Sequence, residues 1–413
     1  MPQRQLSPRW ILFILTGLNL FNYLDRTVLS AVLEPLKGDL HLNYAQGGWL
    51  ATAFLIGYFV TSPLFGYFGD RGSRKRLIAL GIFVWSVGTI CTGFAMTFAV
   101  MLAFRALVGV GEASYATISP SYISDSYPPS RRNNALTIFY VAIPVGSAIG
   151  YVIGGFFAQP EVWRHAFIWA GAPGLALALV LLPFAEPKRG AAEGRVEEAG
   201  KLPKALDVLK LFRLPQYMLV ATGYVAYTFA LGGFSLWAPT YLTVVHGVSQ
   251  QHAATFFGLV LVVSGLVGTF AGGFAATAWQ RRDPAGYAKM LAWSVAASVP
   301  LAFAAFLVDS EAWCMRLLAA AIFLVFFCTG PVNTLILETV PINLRASAMA
   351  LSIFLIHLFG DMWSPLLVGI LSDRIGMKSA VLILPAALLV CAALWAVLAW
   401  RMRGGHSPSP ATT

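Results

Sequence analysis

Gly66-Tyr67-Phe68-Gly69-Asp70-Arg71-Gly72-Ser73-Arg74-Lys75-Arg76 sets one carboxylate and four bases in a short stretch. On either side the chain turns apolar at once, over 46–68 before it and 77–98 after it. Each run has about the 20 residues that a helix needs to cross a bilayer. The stretch therefore reads as a tight connection between two spanning helices. Its bases mark it as cytoplasmic, because Lys and Arg are retained on that side of a membrane.

The same alternation continues outward in both directions. Apolar stretches long enough to span occur at 9–30, 46–68, 77–98, 100–123, 134–157, 164–185, 215–243, 252–276, 286–307, 313–336, 346–370 and 379–402. Each must be helical, since backbone facing lipid has to satisfy its own hydrogen bonds. The expected fold class is an all-α membrane protein with twelve transmembrane helices. Composition agrees: of 413 residues, 58% are hydrophobic and 11% charged, against about 25% charged in soluble domains. That balance excludes a disordered chain and an ordinary soluble enzyme. The first run is read as a retained span, since Asp25 and Arg26 interrupt it and no small-residue cleavage site follows.

The net charge of +10 does not imply nucleic acid, because the bases sit in short clusters between apolar runs. With the N-terminus cytoplasmic, the segments on its side hold most of the 28 Lys and Arg. The other side holds only Lys37, Arg164, Arg316, Arg374 and Lys378. Both termini are expected in the cytoplasm. The cysteines (Cys91, Cys314, Cys328, Cys391) fall in or beside apolar runs without metal-ligand spacing, so neither a disulfide framework nor a zinc site is expected.

The longest connection, 186–214, divides the chain into six spans and six. The expected organisation is an N-terminal bundle over 1–185, a cytoplasmic linker over 186–214, a C-terminal bundle over 215–403 and a disordered tail over 404–413. The halves echo each other: Pro128, Arg132 and Ala135 recur in register as Pro341, Arg345 and Ala348, with Asp125 opposite Glu338. Duplication across a midpoint loop points to two bundles around a central pathway.

Charges inside spans are costly and need a partner or a purpose. Span one holds Asn19, Asn22, Tyr23, Asp25 and Arg26; span four holds Arg105 and Glu112, seven residues apart and so close to one helical face. Asp25 is placed to pair with Arg105 across the bundle. The cluster reads as a protonatable charge switch, since a carboxylate without its cation tends toward the neutral form. A static tie between spans one and four satisfies the same residues, and either Arg can hold a phosphate or carboxylate headgroup bidentately. Gly109-Val110-Gly111 lacks the further spacing of a nucleotide loop, and no Walker A sequence occurs.

Other candidates are sparser. Gly146, Gly150 and Gly154 in span five have small-xxx-small spacing and read as helix packing; Tyr151 beside them is a candidate for the cavity. Tyr227 and Trp237 in span seven, and His357 and Asp361 one turn apart in span eleven, are the C-half candidates. A lone His in a span is more often a hydrogen-bonded core residue. Gly369 to Lys378 imitates the loop after span two, but by parity it lies on the opposite face, and it reads mainly as a helix-ending turn.

With these residues in view, the loop from Gly66 to Arg76 resembles the cytoplasmic signature of the major facilitator superfamily. The usual order is Asp-Arg-x-Gly; here Gly72 and Ser73 stand transposed. More specifically, the chain resembles the Spinster-type members. The resemblance rests on Asn22-Tyr23-Leu24-Asp25-Arg26, the stretch from Arg105 through Glu112 to Pro120, Phe139-Tyr140 to Ser147, Glu186-Pro187-Lys188-Arg189-Gly190 and Trp237-Ala238-Pro239. It implies the major facilitator fold, with two six-helix bundles, and alternating-access transport of lysophospholipids or sphingosine-1-phosphate-like lipids. It implies that Asp25, Arg26, Arg105 and Glu112 are the functional charges, and that Gly66, Asp70, Arg71 and Arg74 form a cytoplasmic gate.

The expectations are then definite. The chain is a secondary transporter rather than an enzyme, proton-coupled, carrying a lysophospholipid or related amphipathic lipid. The alternative is a symporter of small organic anions, which would be expected to have a further base in the C-half spans. The cavity is expected to take Asn19, Tyr23, Arg26, Arg105, Glu112, Tyr151, Tyr227, Trp237, His357 and Asp361. No cofactor or metal is expected, the proton gradient being the driving force. Partners are the lipid substrate and membrane lipids, with no nucleic acid, for a monomer in a bacterial inner membrane.

Overall fold

The computed structural model describes residues 7–181, 186, 209–341 and 344–404. Among these the chain is helical nearly throughout, with no strand. The helices are α1 (Pro8–Ala31), α2 (Leu33–Asp39), α3 (Tyr44–Arg71), α4 (Arg74–Gly93), α5 (Phe98–Ser126), α6 (Pro129–Phe156), α7 (Trp163–Leu181) and α8 (Pro215–His246). They continue with α9 (Gln250–Gln280), α10 (Gly286–Leu307), α11 (Glu311–Glu338), α12 (Ser347–Ile375) and α13 (Met377–Met402). α2 is a short connector, so twelve helices stand where the sequence places its spans.

Ten helices among the described residues are long and apolar enough to cross a membrane. The two expected spans outside that count are α1, whose hydropathy is lowered by Asn19, Asn22, Asp25 and Arg26, and α7, which runs into residues outside the described set. The tail over 404–413, after its first residue, lies outside the described residues. So does the 186–214 linker, apart from Glu186 and 209–214, where Lys210–Arg213 forms a single 3₁₀ turn.

Local chemistry sets the helix ends. α3 opens on a capping box: the Asn43 side chain accepts from the Gln46 N–H at 2.8 Å, and the Gln46 side chain accepts from the Asn43 N–H at 3.0 Å. α12 stops at Gly376, which takes φ +82°, a conformation only glycine adopts without strain. Two helices depart from α geometry inside the span: α9 has a π turn at Ser264–Gly268 and α12 has one at Ile356–Asp361. Such turns are uncommon and often mark functional positions.

The chain forms two compact units. The first comprises Met1–Gly200, Ser235–Val262 and Pro365–Ala380; the second comprises Lys201–Phe234, Val263–Ser364 and Val381–Thr413. α8, α9, α12 and α13 therefore each contribute to both. In the first unit α1 packs along α6, α3 along α5, and α4 against α5 and α7. Its core gathers Leu15, Leu18, Phe54, Ile82, Trp85, Tyr115 and Phe139. Lipid gives no hydrophobic drive between helices, so close approach of small residues holds them. A Cβ at Gly146 would lie 2.4 Å from the Leu20 carbonyl oxygen, and one at Gly150 would lie 2.3 Å from that of Leu24. The spacing read in span five is thus a backbone-to-backbone seam with α1. In the second unit α10 packs on α11 and α13.

Candidate coupling and substrate site

Asp25 and Arg26 are neighbours on α1 and so point about 100° apart. That angle sends them to different partners. Arg26 reaches α5, where its Nε donates to Glu112 Oε2 at 2.7 Å. Asp25 turns toward α4 and accepts a hydrogen bond from the Thr89 hydroxyl. Arg105 and Asp25 act on each other electrostatically, but no ion pair within 4 Å joins them among the described residues. The expected Asp25–Arg105 pair is therefore replaced by Arg26–Glu112, because the 100° step lets only one of the adjacent charges face α5 directly.

The aromatic surroundings of the cations were not expected. The Arg26 guanidinium lies 4.6 Å from the Tyr23 ring centre, 5.2 Å from that of Phe54 and 5.2 Å from that of Tyr58. Arg105 lies 5.2 Å from the same Phe54 ring. One ring thus serves two guanidiniums, each attracted to its π-face. Asp25, Arg105 and Glu112 are at most 1% exposed, whereas 20% of the Arg26 side chain is accessible.

Burial leaves several polar atoms without hydrogen-bond partners among the described residues: Asp25 Oδ1, Glu112 Oε1, Arg105 Nε and Nη1, and both amide atoms of Asn22. Buried polar groups are normally satisfied, so a concentration of orphans around four charges is unusual. Asn19 is different, its amide donating to the Phe139 carbonyl at 3.0 Å. Thr89, Phe54 and Tyr58 complete the cluster. They escaped sequence reading because a hydroxyl or a ring in an apolar helix carries no signal of which charge it will meet.

The remaining cavity candidates lie elsewhere. In the first unit, the Tyr151 hydroxyl donates to the Ser235 carbonyl, and the fully buried Trp237 donates to the Pro365 carbonyl at 2.8 Å. In the second unit, the Tyr227 hydroxyl donates to the Val325 carbonyl at 3.1 Å. His357 Nδ1 lies 3.1 Å from both carboxylate oxygens of Asp361, a pair presented by the π turn of α12.

The basic loop after α3 is organised around Arg74. Its Nε donates to Glu186 Oε1 at 3.0 Å, its Nη1 donates to Asp125, and its backbone N–H donates to Glu186 at 3.1 Å. Ser73 adds a hydrogen bond to Glu186 at 2.9 Å. Burial works against the charge on Glu186, but the hydrogen bonds from Arg74 and Ser73 outweigh it and hold the carboxyl below its ordinary range. Arg71 is exposed and folds back over the Tyr67 ring at 3.8 Å. Gly66 leaves a Cβ position 3.7 Å from Thr117, ordinary contact. The side chain of Asp70 lies outside the described residues. Asp125 and Glu186 stand apart in the sequence, and only folding sets both on one guanidinium.

The imitation of this loop does more than end a helix. Asp373 accepts from the N–H groups of Tyr44 at 2.9 Å and Ala45 at 2.8 Å, seating a carboxylate on the N-terminus of α3, where the helix dipole favours it.

Comparison with known proteins agrees with this arrangement of helices. Residues 15–360 match the family profile of the Major Facilitator Superfamily, and the chain belongs to that superfamily. Within it the chain is a member of the spinster family. It is 33% identical to Protein spinster of Drosophila melanogaster over 88% of this chain and 61% of that protein. It is 32% identical to the probable sphingolipid transporter spinster homolog 2 of Arabidopsis thaliana, over 95% of this chain and 87% of that one. The chain thus spans under two thirds of the fly protein and most of the plant one. Among solved structures it resembles a bacterial homologue of the human lysosomal transporter Spinster, in its inward-facing, occupied conformation. There the TM-score is 0.86 at 25% identity, covering 97% of this chain and 99% of that one. A D-xylose–proton symporter shares the fold, with a TM-score of 0.72 at 19% identity and coverage of 93% and 96%. Fold and family are those of an integral membrane transporter, not of an enzyme.

Proposed function

We propose that this chain is a secondary transporter that works by alternating access, is driven by a proton gradient, and moves a lysophospholipid or related amphipathic lipid with a phosphate-type headgroup. The observation that carries the reading is the cluster of Asp25, Arg26, Arg105 and Glu112. It holds two cations and two anions, with one direct ion pair, Arg26–Glu112, and orphan atoms on Asp25, Arg105 and Glu112 among the described residues. Protonation of either carboxylate leaves a net positive charge, which an anionic headgroup can neutralise. Arg26, the accessible member, is the group a headgroup reaches first, and its fork suits a phosphate. A headgroup on Arg26 displaces Glu112, and a buried carboxylate without its cation favours the neutral form. Binding and protonation are thereby linked. Plant relatives named as probable sphingolipid transporters support the substrate class. Both termini are cytoplasmic, in the inner membrane of a bacterium, and the protein acts as a monomer.

The test is reconstitution into liposomes holding a pH-sensitive dye. Lysophospholipid should drive proton flux in wild type, and Asp25→Asn or Glu112→Gln should abolish it in a folded protein. Fluorescent-lipid movement that persists without a pH gradient would remove proton coupling. Movement of a small organic anion without lipid would replace the substrate class.

A further inference from the structure

A groove of about 610 Å³ lies between the N-terminal halves of α1 and α6, and none of the four cluster charges lines it. Its walls are apolar, formed by Leu12, Phe13 and Leu20 on one side and Ala135 and Ile138 on the other. Its mouth carries Arg9 and Arg131, which also line an adjoining hollow of about 370 Å³ beside Tyr127. Both arginines are exposed, and neither forms an ion pair with a carboxylate among the described residues. Phe13 is 69% exposed and Ile138 54%, so the rim of the wall faces the surroundings, while Leu12 and Ala135 behind it are buried. Gly17 lines the groove, and a Cβ there would meet nothing within 4 Å.

We infer that this groove is a binding site for an anionic phospholipid of the surrounding leaflet. Its phosphate sits between Arg9 and Arg131, and one acyl chain runs down the α1–α6 wall. The chemistry is specific to that occupant. Two guanidiniums with no carboxylate partner among the described residues want a phosphate at one end, and the apolar channel below them wants hydrocarbon. Bases at the membrane surface add attraction for anionic lipid. A soluble anion would use the mouth and leave the channel empty; a zwitterionic lipid would fill the channel and gain less at the mouth. The site rests on membrane insertion alone and is independent of what is transported.

The experiment is native mass spectrometry of the detergent-purified full chain, titrated with dioleoyl phosphatidylglycerol or dioleoyl phosphatidylcholine. Wild type should retain one phosphatidylglycerol in preference to phosphatidylcholine. The Arg9→Gln/Arg131→Gln double variant should lose that preference by roughly 30-fold, at about tenfold or less per guanidinium. Gly17→Leu keeps the charges but blocks the channel, and should weaken both lipids together. Arg316→Gln, an exposed guanidinium outside this groove, should behave as wild type. Size-exclusion profiles identify variants that fail to fold, and Gly17→Leu leaves the test standing if the charge variant is lost. An unchanged phosphatidylglycerol preference in the folded double variant would overturn the site. So would full displacement of the lipid by equimolar glycerol 3-phosphate, which would show that only the anion is read.

Discussion

Arg26 holds the position from which the cluster is best questioned, being paired, partly accessible and caged by rings. Removing it leaves Glu112 buried without its cation, which costs roughly 3–5 kcal/mol. Arg26→Ala should therefore lower the melting temperature in detergent sharply. Glu112→Gln removes the charge with the partner and should cost less. The Arg26→Ala/Glu112→Gln double variant should be more stable than Arg26→Ala alone. If the double variant melts lowest and the effects simply add, the pair is not coupled. The four charges could be picked out in the sequence because a charge in an apolar run has so few innocent explanations. Their pairing could not, because neighbours on a helix diverge by about 100° and the choice of partner depends on where α4 and α5 stand.

Among the elements, the α1–α6 seam makes the plainest prediction. A Cβ at Gly150 would lie 2.1 Å from Thr27 Oγ1 and 2.3 Å from a backbone oxygen. Gly150→Ala should cost about 1–3 kcal/mol as overpacking. Gly273→Ala, with nothing within 4 Å of its Cβ, should be neutral or stabilising by up to about 1 kcal/mol through helix propensity. Equal melting temperatures for the two variants would show that the seam is not tight. The Arg74 knot predicts a pH dependence. Glu186 has a folded-state pKa below its ordinary 4.5, so its stabilisation is fully present above about pH 4.5 and is lost as pH falls through the lower, folded value. The melting-temperature gap between wild type and Glu186→Gln should thus be constant from pH 7 to about 5 and close at still lower pH. A gap that closes near pH 7 would sink this account. The spacing of span five announced its seam because small-residue periodicity survives in one dimension. The knot did not announce itself, since Arg74, Asp125 and Glu186 are distant in the chain.

For the whole molecule, the distribution of Lys and Arg predicts both termini in the cytoplasm. A green fluorescent protein fused after Thr413 should fluoresce in bacterial cells, and a periplasmic alkaline phosphatase reporter at the same point should be inactive. The reverse pattern would invert the topology. Twelve helices, their basic loops and the family membership are all legible in the chain, because a bilayer imposes length, apolarity and charge asymmetry on each segment separately. Those are local demands, and local sequence answers them. Which carboxylate meets which guanidinium, which ring lies under two cations, where α9 and α12 depart from α geometry, and the apolar groove topped by Arg9 and Arg131 were decided only in three dimensions. Each depends on the rotation and spacing of helices remote in sequence, and packing sets these collectively.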